Sequence, residues 1–122
     1  MMYLDVIKQY CRERCIPIYL VGGAVRDLLI NRDLQDYDFA SSCYREVAEY
    51  FSERIEGKLI KLHDDVYRVV VDGLVFDFSN FKGDNIEEDL KNRDFTINAI
   101  AYDLVKEEYI DVLGGIQDIK KE

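Results

Sequence analysis

The sequence predicts a single α+β domain in which helices pack on a mixed, mostly antiparallel sheet. Its 122 residues match the size of one small domain, and a hydrophobic content of 48% is sufficient for one core. Segments with helical and strand-like spacing of apolar residues alternate through the first half of the chain, and three consecutive strand-like segments follow. This order of elements is typical of an α+β architecture.

The N-terminal part alternates helices and strands. Residues 3–14 carry apolar side chains at helical spacing, which predicts an amphipathic helix. Residues 16–21 form a short apolar, β-branched run that stops at Gly22 and Gly23, and the pattern over 24–30 is helical. We therefore expect a strand, a tight glycine turn and a helix in direct succession.

Strands dominate the middle of the chain. Polar and apolar residues alternate over 36–41, which predicts a strand, and the apolar spacing over 44–55 predicts a helix. Three strand-like segments follow, at 58–63, 66–71 and 74–81. Because Asp72 and Gly73 form a pair typical of tight hairpin turns, we expect these strands to form an antiparallel meander.

The C-terminal part is less regular. Residues 82–92 are mostly polar and begin with a Gly-Asp-Asn turn signal, which predicts a mobile loop. Residues 94–102 show a helical pattern, and 103–112 are expected to form a short strand pair.

Charge and cysteine content exclude several classes of protein. The chain has 16 basic and 25 acidic side chains, and a net charge of −9 has the wrong sign for strong unaided binding of a polynucleotide. Three cysteines do not make a secreted disulfide framework, so we expect a cytoplasmic protein. No apolar run has membrane-spanning length, so no membrane partner is expected. The sequence leaves the oligomeric state open.

Two aspartates with one residue between them are the most informative candidate site. On a strand, Asp36 and Asp38 point to the same face about 7 Å apart, so both carboxylates can converge on one ion. Hard cations such as Mg²⁺, or Mn²⁺ in its place, prefer carboxylate oxygens and complete their coordination with water and substrate phosphates. The alternative is a solvated acidic turn, which arises often by chance in an acidic chain.

A phosphate site is a second candidate. Gly22 and Gly23 lie between a strand and a helix, where the absence of side chains allows close approach to the backbone. Arg26, one turn into the helix, offers a planar set of donors to the same phosphate. A glycine turn needed only for steric reasons, with Arg26 on a solvated face, is the alternative.

Further polar residues could complete the site. Asp77 alternates with phenylalanines in a strand and is a third acidic candidate, although an ordinary solvent-facing aspartate fits equally well. Arg93, Asp94 and Asn98 offer a charged donor, an acceptor and an amide to a ribose or phosphate. Asp94 could equally be the N-cap of its own helix.

Three motifs occur in an order that closely resembles one enzyme family. They are LVGGAVRD at 20–27, DYDFA at 36–40, and EDL at 88–90 leading into RDFTINA at 93–99. They resemble the class II, bacterial-type tRNA nucleotidyltransferase and poly(A) polymerase family, a branch of the polymerase-β-like nucleotidyltransferases. The resemblance extends from about residue 18 to 118.

The resemblance implies a catalytic head domain that transfers nucleotides from ATP or CTP to the 3′-hydroxyl of an RNA, the tRNA 3′ end. It implies that Asp36 and Asp38 are catalytic and bind two Mg²⁺ ions. The residues implied to hold the nucleotide are Gly22, Gly23, Arg26, Arg93, Asp94 and Asn98. Asp77 is included as a third catalytic candidate.

The sequence departs from the family pattern in ways that are expected to weaken nucleotide transfer. The family commonly has a second arginine before the Asp-Phe-Thr motif, where this chain has Asn92. We expect residues 1–122 to be the head domain without the neck, body and tail domains, and therefore weakly active, poorly base-selective and weakly RNA-binding. Two alternatives are a non-catalytic nucleotide-binding or interaction module that requires partners, and a small antitoxin-like nucleotidyltransferase with another substrate.

Overall fold

The chain folds into a seven-stranded sheet with flanking helices. The computed structural model describes residues 2–29, 34–63, 65–80, 85–91 and 100–111. Its helices are α1 (Met2–Glu13), α2 (Gly23–Leu29), α3 (Tyr44–Arg54) and α4 (Ile86–Lys91). Its strands are β1 (Tyr19–Val21), β2 (Asp36–Ala40), β3 (Lys58–His63), β4 (Val66–Val71), β5 (Leu74–Ser79), β6 (Ile100–Asp103) and β7 (Glu108–Asp111).

The sheet is mixed, as predicted. Its spatial order is β3-β4-β5-β2-β1-β6-β7. Strands β2 and β5 are parallel, and every other neighbouring pair is antiparallel. Strand β2 therefore lies inside the sheet, between β5 and β1, with backbone partners on both sides.

The predicted hairpin turn joins β4 to β5. Asp72 and Gly73 have φ angles of +51° and +76°, so both central residues adopt the left-handed conformation that a two-residue hairpin turn of type I′ requires. Val71 pairs with Leu74 directly across this turn. The turn therefore determines the register of the two strands.

The main core lies between one face of the sheet and helices α1 and α3. Aromatic side chains from the inner strands fill it, with ring centroids 4.8 Å apart for Tyr37 and Phe76 and 5.2 Å apart for Phe39 and Phe78. Cys11 of α1 is fully buried in the same core, whereas Cys15, which follows the helix, is exposed. Because side chains alternate along a strand, residues between these aromatics lie on the opposite face.

The prediction of a loop over 82–92 is wrong for residues 86–91, and a second, smaller core explains why. Residues 86–91 form helix α4, and its Ile86 and Leu90 are buried. Two apolar side chains four residues apart share one face of a helix. They pack on the second face of the sheet against Val21, Ala40 and Ala101.

Two other predicted boundaries differ from the structure. The helix predicted over 94–102 does not extend to its end, because Ile100 and Ala101 belong to β6. Pairing of β6 with β1 and the burial of both residues outweigh the helical pattern. The predicted strand pair therefore begins at Ile100, while residues 92–99 lie outside the described part of the chain. The first strand is shorter than predicted, covering only Tyr19–Val21.

No helix among the described residues is both long enough and apolar enough to cross a membrane.

Candidate functional site

The face of the sheet opposite the main core carries the acidic candidates. Asp36 and Asp38 alternate with buried residues along β2, and both are exposed on the same face. Asp38 is the register partner of Asp77 on the adjacent parallel strand β5. Adjacent strands are about 4.8 Å apart, so the structure brings Asp77 beside the pair.

An open cleft adjoins the two aspartates of β2. It has a volume of about 320 Å³ and lies between α2 and the start of β2. The residues that line it are Gly23, Ala24, Asp27, Gln35, Asp36 and Asp38. The glycine turn and the acidic pair, which are separate motifs in the sequence, therefore share one cavity.

Gly22 connects β1 to α2 directly beside Asp38. Its φ angle is +71°, a backbone conformation that residues other than glycine rarely adopt. A Cβ atom at this position would lie 3.5 Å from Oδ2 of Asp38. Gly23 differs, because a Cβ there would meet no atom within 4 Å. The turn thus requires glycine at its first position.

Arg26 lies on α2 next to Asp27, which lines the cleft, but Arg26 itself is not among the lining residues. Its Nη2 atom is 3.4 Å from Oδ1 of Asp27, so the two side chains form an ion pair. Its Nε atom is buried, and no hydrogen-bond partner for it occurs among the described residues. The guanidinium therefore keeps donor capacity for an anion.

Arg68 is a site residue that sequence reasoning missed. Its Nε and Nη2 atoms donate to Oδ1 and Oδ2 of Asp77 at 2.8 and 3.0 Å. These hydrogen bonds, and then the negative charge of Asp77, raise the pKa of the Arg68 guanidinium, with smaller contributions from Asp36 and Asp38. Arg68 is therefore a permanent cation among the three aspartates.

The sequence contains a signal for this pair. A two-residue turn at Asp72 and Gly73 sets Val71 opposite Leu74, and counting outward along both strands sets Arg68 opposite Asp77. Opposite charges directly across an antiparallel pair stabilise each other. An arginine among the valines of β4 was therefore identifiable as the partner of Asp77.

The remaining predicted residues are not placed. Arg93, Asp94 and Asn98, together with Asn92, lie outside the described residues. Their proposed contacts to the nucleotide stay predictions.

The donor set of the cleft suits a hard divalent cation. Asp36 and Asp38 offer carboxylate oxygens at the edge of an open, solvent-filled space, where water and substrate oxygens can complete the coordination. Within the described ranges, no three His, Cys, Asp or Glu side chains form a group that could hold a metal ion. The donor set therefore consists of two carboxylates and requires external ligands.

Comparison with known proteins gives consistent matches over most of the chain. The family of poly(A) polymerase head domains matches residues 18–82 and 68–122. A CCA-adding enzyme of Lactobacillus helveticus is 34% identical over 131 residues, covering 93% of this chain and 32% of the relative. A CC-adding tRNA nucleotidyltransferase of Shouchella clausii is 38% identical over 106 residues, covering 84% of this chain and 27% of the relative.

Solved structures agree in fold. A Thermotoga maritima CCA-adding enzyme in complex with tRNA superposes with a TM-score of 0.83 at 36% identity, covering 96% of this chain and 30% of that one. A CCA-adding enzyme in complex with ATP gives a TM-score of 0.85 at 36% identity, covering 96% and 31%. These matches confirm the predicted α+β head-domain fold. The chain spans about a third of the length of the curated relatives it matches.

Proposed function

This chain belongs to the family of poly(A) polymerase head domains, and on that premise we propose that it transfers nucleotides from ATP or CTP to the 3′-hydroxyl of an RNA, the 3′ end of tRNA. Its relatives include a CCA-adding enzyme and a CC-adding tRNA nucleotidyltransferase. The observation that carries the proposal is the exposed pair Asp36 and Asp38 beside a glycine turn in an open cleft.

Asp36 and Asp38 would hold two divalent cations, which we take to be Mg²⁺ with Mn²⁺ as a substitute. Such ions, when bound, lower the pKa of an attacking hydroxyl and neutralise the charge of the triphosphate. The proposal is supported by the pleat of β2, which sends both carboxylates to the cleft side of the sheet.

The chain's own groups would position the nucleotide. The backbone at Gly22 and Gly23 leaves room for phosphate oxygens, and Arg26 would donate to them from α2. Arg93, Asp94 and Asn98 would contact the ribose and phosphates, as the family resemblance implies. The RNA 3′ oxygen would then attack the α-phosphorus, and the bond to the leaving pyrophosphate would break.

We further propose that residues 1–122 act as the head domain of such an enzyme. With a net charge of −9, this chain offers little attraction to an RNA backbone. Transfer by the chain alone would therefore be slow and poorly selective between ATP and CTP.

The test is release of pyrophosphate in the presence of ATP or CTP, Mg²⁺ and a tRNA that lacks its 3′ end. We expect Asp36→Asn and Asp38→Asn each to reduce turnover at least about a hundredfold, because each removes a charged ligand from a two-ligand site. The matched control is Asp65→Asn, the same change at an exposed position in the turn between β3 and β4, which should leave turnover unchanged.

Calorimetry with ATP and CTP, with and without Mg²⁺, separates the enzyme from a binding module. Nucleotide binding that depends on Mg²⁺ and on Asp36 and Asp38 supports the enzyme. Metal-independent nucleotide binding without turnover would instead favour the non-catalytic module, and transfer to a substrate other than a tRNA 3′ end would favour the antitoxin-like enzyme.

A further inference from the structure

A row of three charged side chains crosses three neighbouring strands on the open face of the sheet. Asp38 on β2 pairs in register with Asp77 on β5, and Asp77 pairs in register with Arg68 on β4. Side chains in register on adjacent strands lie on the same face and within contact distance. Asp77 therefore stands between a proposed metal ligand and a fixed cation.

Arg68 engages both oxygens of Asp77. The two hydrogen bonds, at 2.8 Å to Oδ1 and 3.0 Å to Oδ2, form a parallel two-pronged pair. This geometry holds the carboxylate plane in line with the guanidinium plane and is stronger than a single ionic contact. The Asp77 side chain is only 21% exposed, so little water competes for its oxygens. Asp77 is thus directed along the sheet towards β4.

Arg68 lies on a strand that is paired with a neighbour on both sides. Its backbone register partner on the far side is Ile60 of β3. The backbone positions of Arg68 and Asp77 are therefore fixed by the strand pairing.

The pairing has a consequence for the cation. Each Asp77 oxygen that accepts a hydrogen bond from Arg68 has less electron density to offer a metal ion. The positive charge of the guanidinium also repels any metal ion close to Asp77. Without Arg68, the three aspartates would carry three negative charges on one face. With Arg68 present, its positive charge balances that of Asp77, and the negative charges of Asp36 and Asp38 are the ones that attract a metal ion.

Building on the proposed function, we propose that Arg68 is a positioning residue that keeps Asp77 out of the metal coordination. Asp36 and Asp38 then bind a divalent cation weakly by themselves, and tight binding requires the phosphate oxygens of a nucleotide. Arg68 thereby couples binding of the cation to binding of the nucleotide.

The test measures Mn²⁺ binding without nucleotide, by calorimetry and by the electron paramagnetic resonance signal of free Mn²⁺. We expect Arg68→Met to bind Mn²⁺ about tenfold more tightly than the parent, because Asp77 gains the freedom to ligate it. Arg68→Lys keeps the charge but loses the two-pronged geometry, so its affinity should lie between the two. In the double variant Arg68→Met/Asp77→Asn the gain should disappear.

Several outcomes would overturn the inference. An unchanged or weaker Mn²⁺ affinity in Arg68→Met, with a melting temperature close to that of the parent, would do so. A gain that persists in the double variant would show that Arg68 acts only as a remote charge. If Arg68→Met does not fold, Arg68→Lys decides, since an affinity equal to the parent's contradicts the role of the geometry.

The result also separates this inference from the proposed function. If Mn²⁺ binding to the parent is lost in Asp38→Asn while Arg68→Met changes nothing, only the role of Arg68 is wrong. If neither the parent with ATP nor Arg68→Met binds Mn²⁺, the proposed function is wrong and the inference with it.

Discussion

Gly22 is the residue whose identity the site constrains most tightly. Its backbone is in the left-handed region, and its missing side chain leaves room beside Oδ2 of Asp38. The adjacent Gly23 meets neither condition. Two neighbouring glycines that look equivalent in the sequence therefore have different physical roles.

Replacing each of the two glycines by alanine gives a matched pair of variants. Gly22→Ala should lower the free energy of unfolding by about 1–2 kcal/mol, because alanine is strained at positive φ. It should also weaken Mg²⁺-dependent nucleotide binding, because the new methyl group lies against the carboxylate of Asp38. Urea unfolding and calorimetry check both effects.

Gly23→Ala is the control. Open space surrounds its Cβ position, so its unfolding free energy should stay within about 0.5 kcal/mol of the parent. Equal losses of stability in the two variants would contradict the distinct role assigned to Gly22.

At the scale of elements, α4 shows where a local pattern is insufficient. Half of the residues of α4 are acidic, and only Ile86 and Leu90 are available for burial, which in isolation is too little for a stable helix. Strands β1, β2 and β6 supply a small apolar surface on which those two side chains become buried. Tertiary packing, and not helix propensity, therefore stabilises this element.

Leu90→Ala tests this dependence. Leu90 is fully buried, so its truncation should lower the free energy of unfolding by about 2 kcal/mol or more. Hydrogen exchange at the amides of residues 90 and 91 should be slow in the parent and fast in the variant. Glu87→Ala, on the exposed side of the same helix, should change neither quantity appreciably. Fast exchange of these amides in the parent would restore the interpretation of 82–92 as a mobile loop.

The hairpin of β4 and β5 shows the opposite case, in which local chemistry carries long-range information. The Asp-Gly turn determines the pairing of both strands, and that pairing brings Arg68 to Asp77. The sequence of a hairpin with a well-defined turn thus contains the information that places one charged contact of the site, although Arg68 was not predicted from it.

For the whole molecule, the excess of acidic residues bears on RNA binding. With 25 acidic and 16 basic side chains, the chain is attracted to divalent cations more than to phosphate backbones. The curated relatives, which are about three times as long, have most of their length outside the matched region.

We therefore expect the chain alone to bind tRNA weakly, with a dissociation constant above about 100 µM at physiological salt. Fluorescence anisotropy with labelled tRNA measures this. Calorimetry with ATP and Mg²⁺ on the same sample serves as the control for a folded, competent protein. Binding of tRNA tighter than about 1 µM would show that an acidic surface is not what limits RNA affinity here.

The sequence alone determined the order of helices and strands as far as β5, the hairpin turn and the acidic and glycine motifs, because periodicity, turn chemistry and motif spacing are properties of contiguous residues. Only the tertiary structure decided that β2 and β5 pair in parallel, that Asp38 lies beside Asp77, and that α4 is a helix. Those features depend on contacts between segments far apart in the chain, where burial and backbone pairing outweigh local preference.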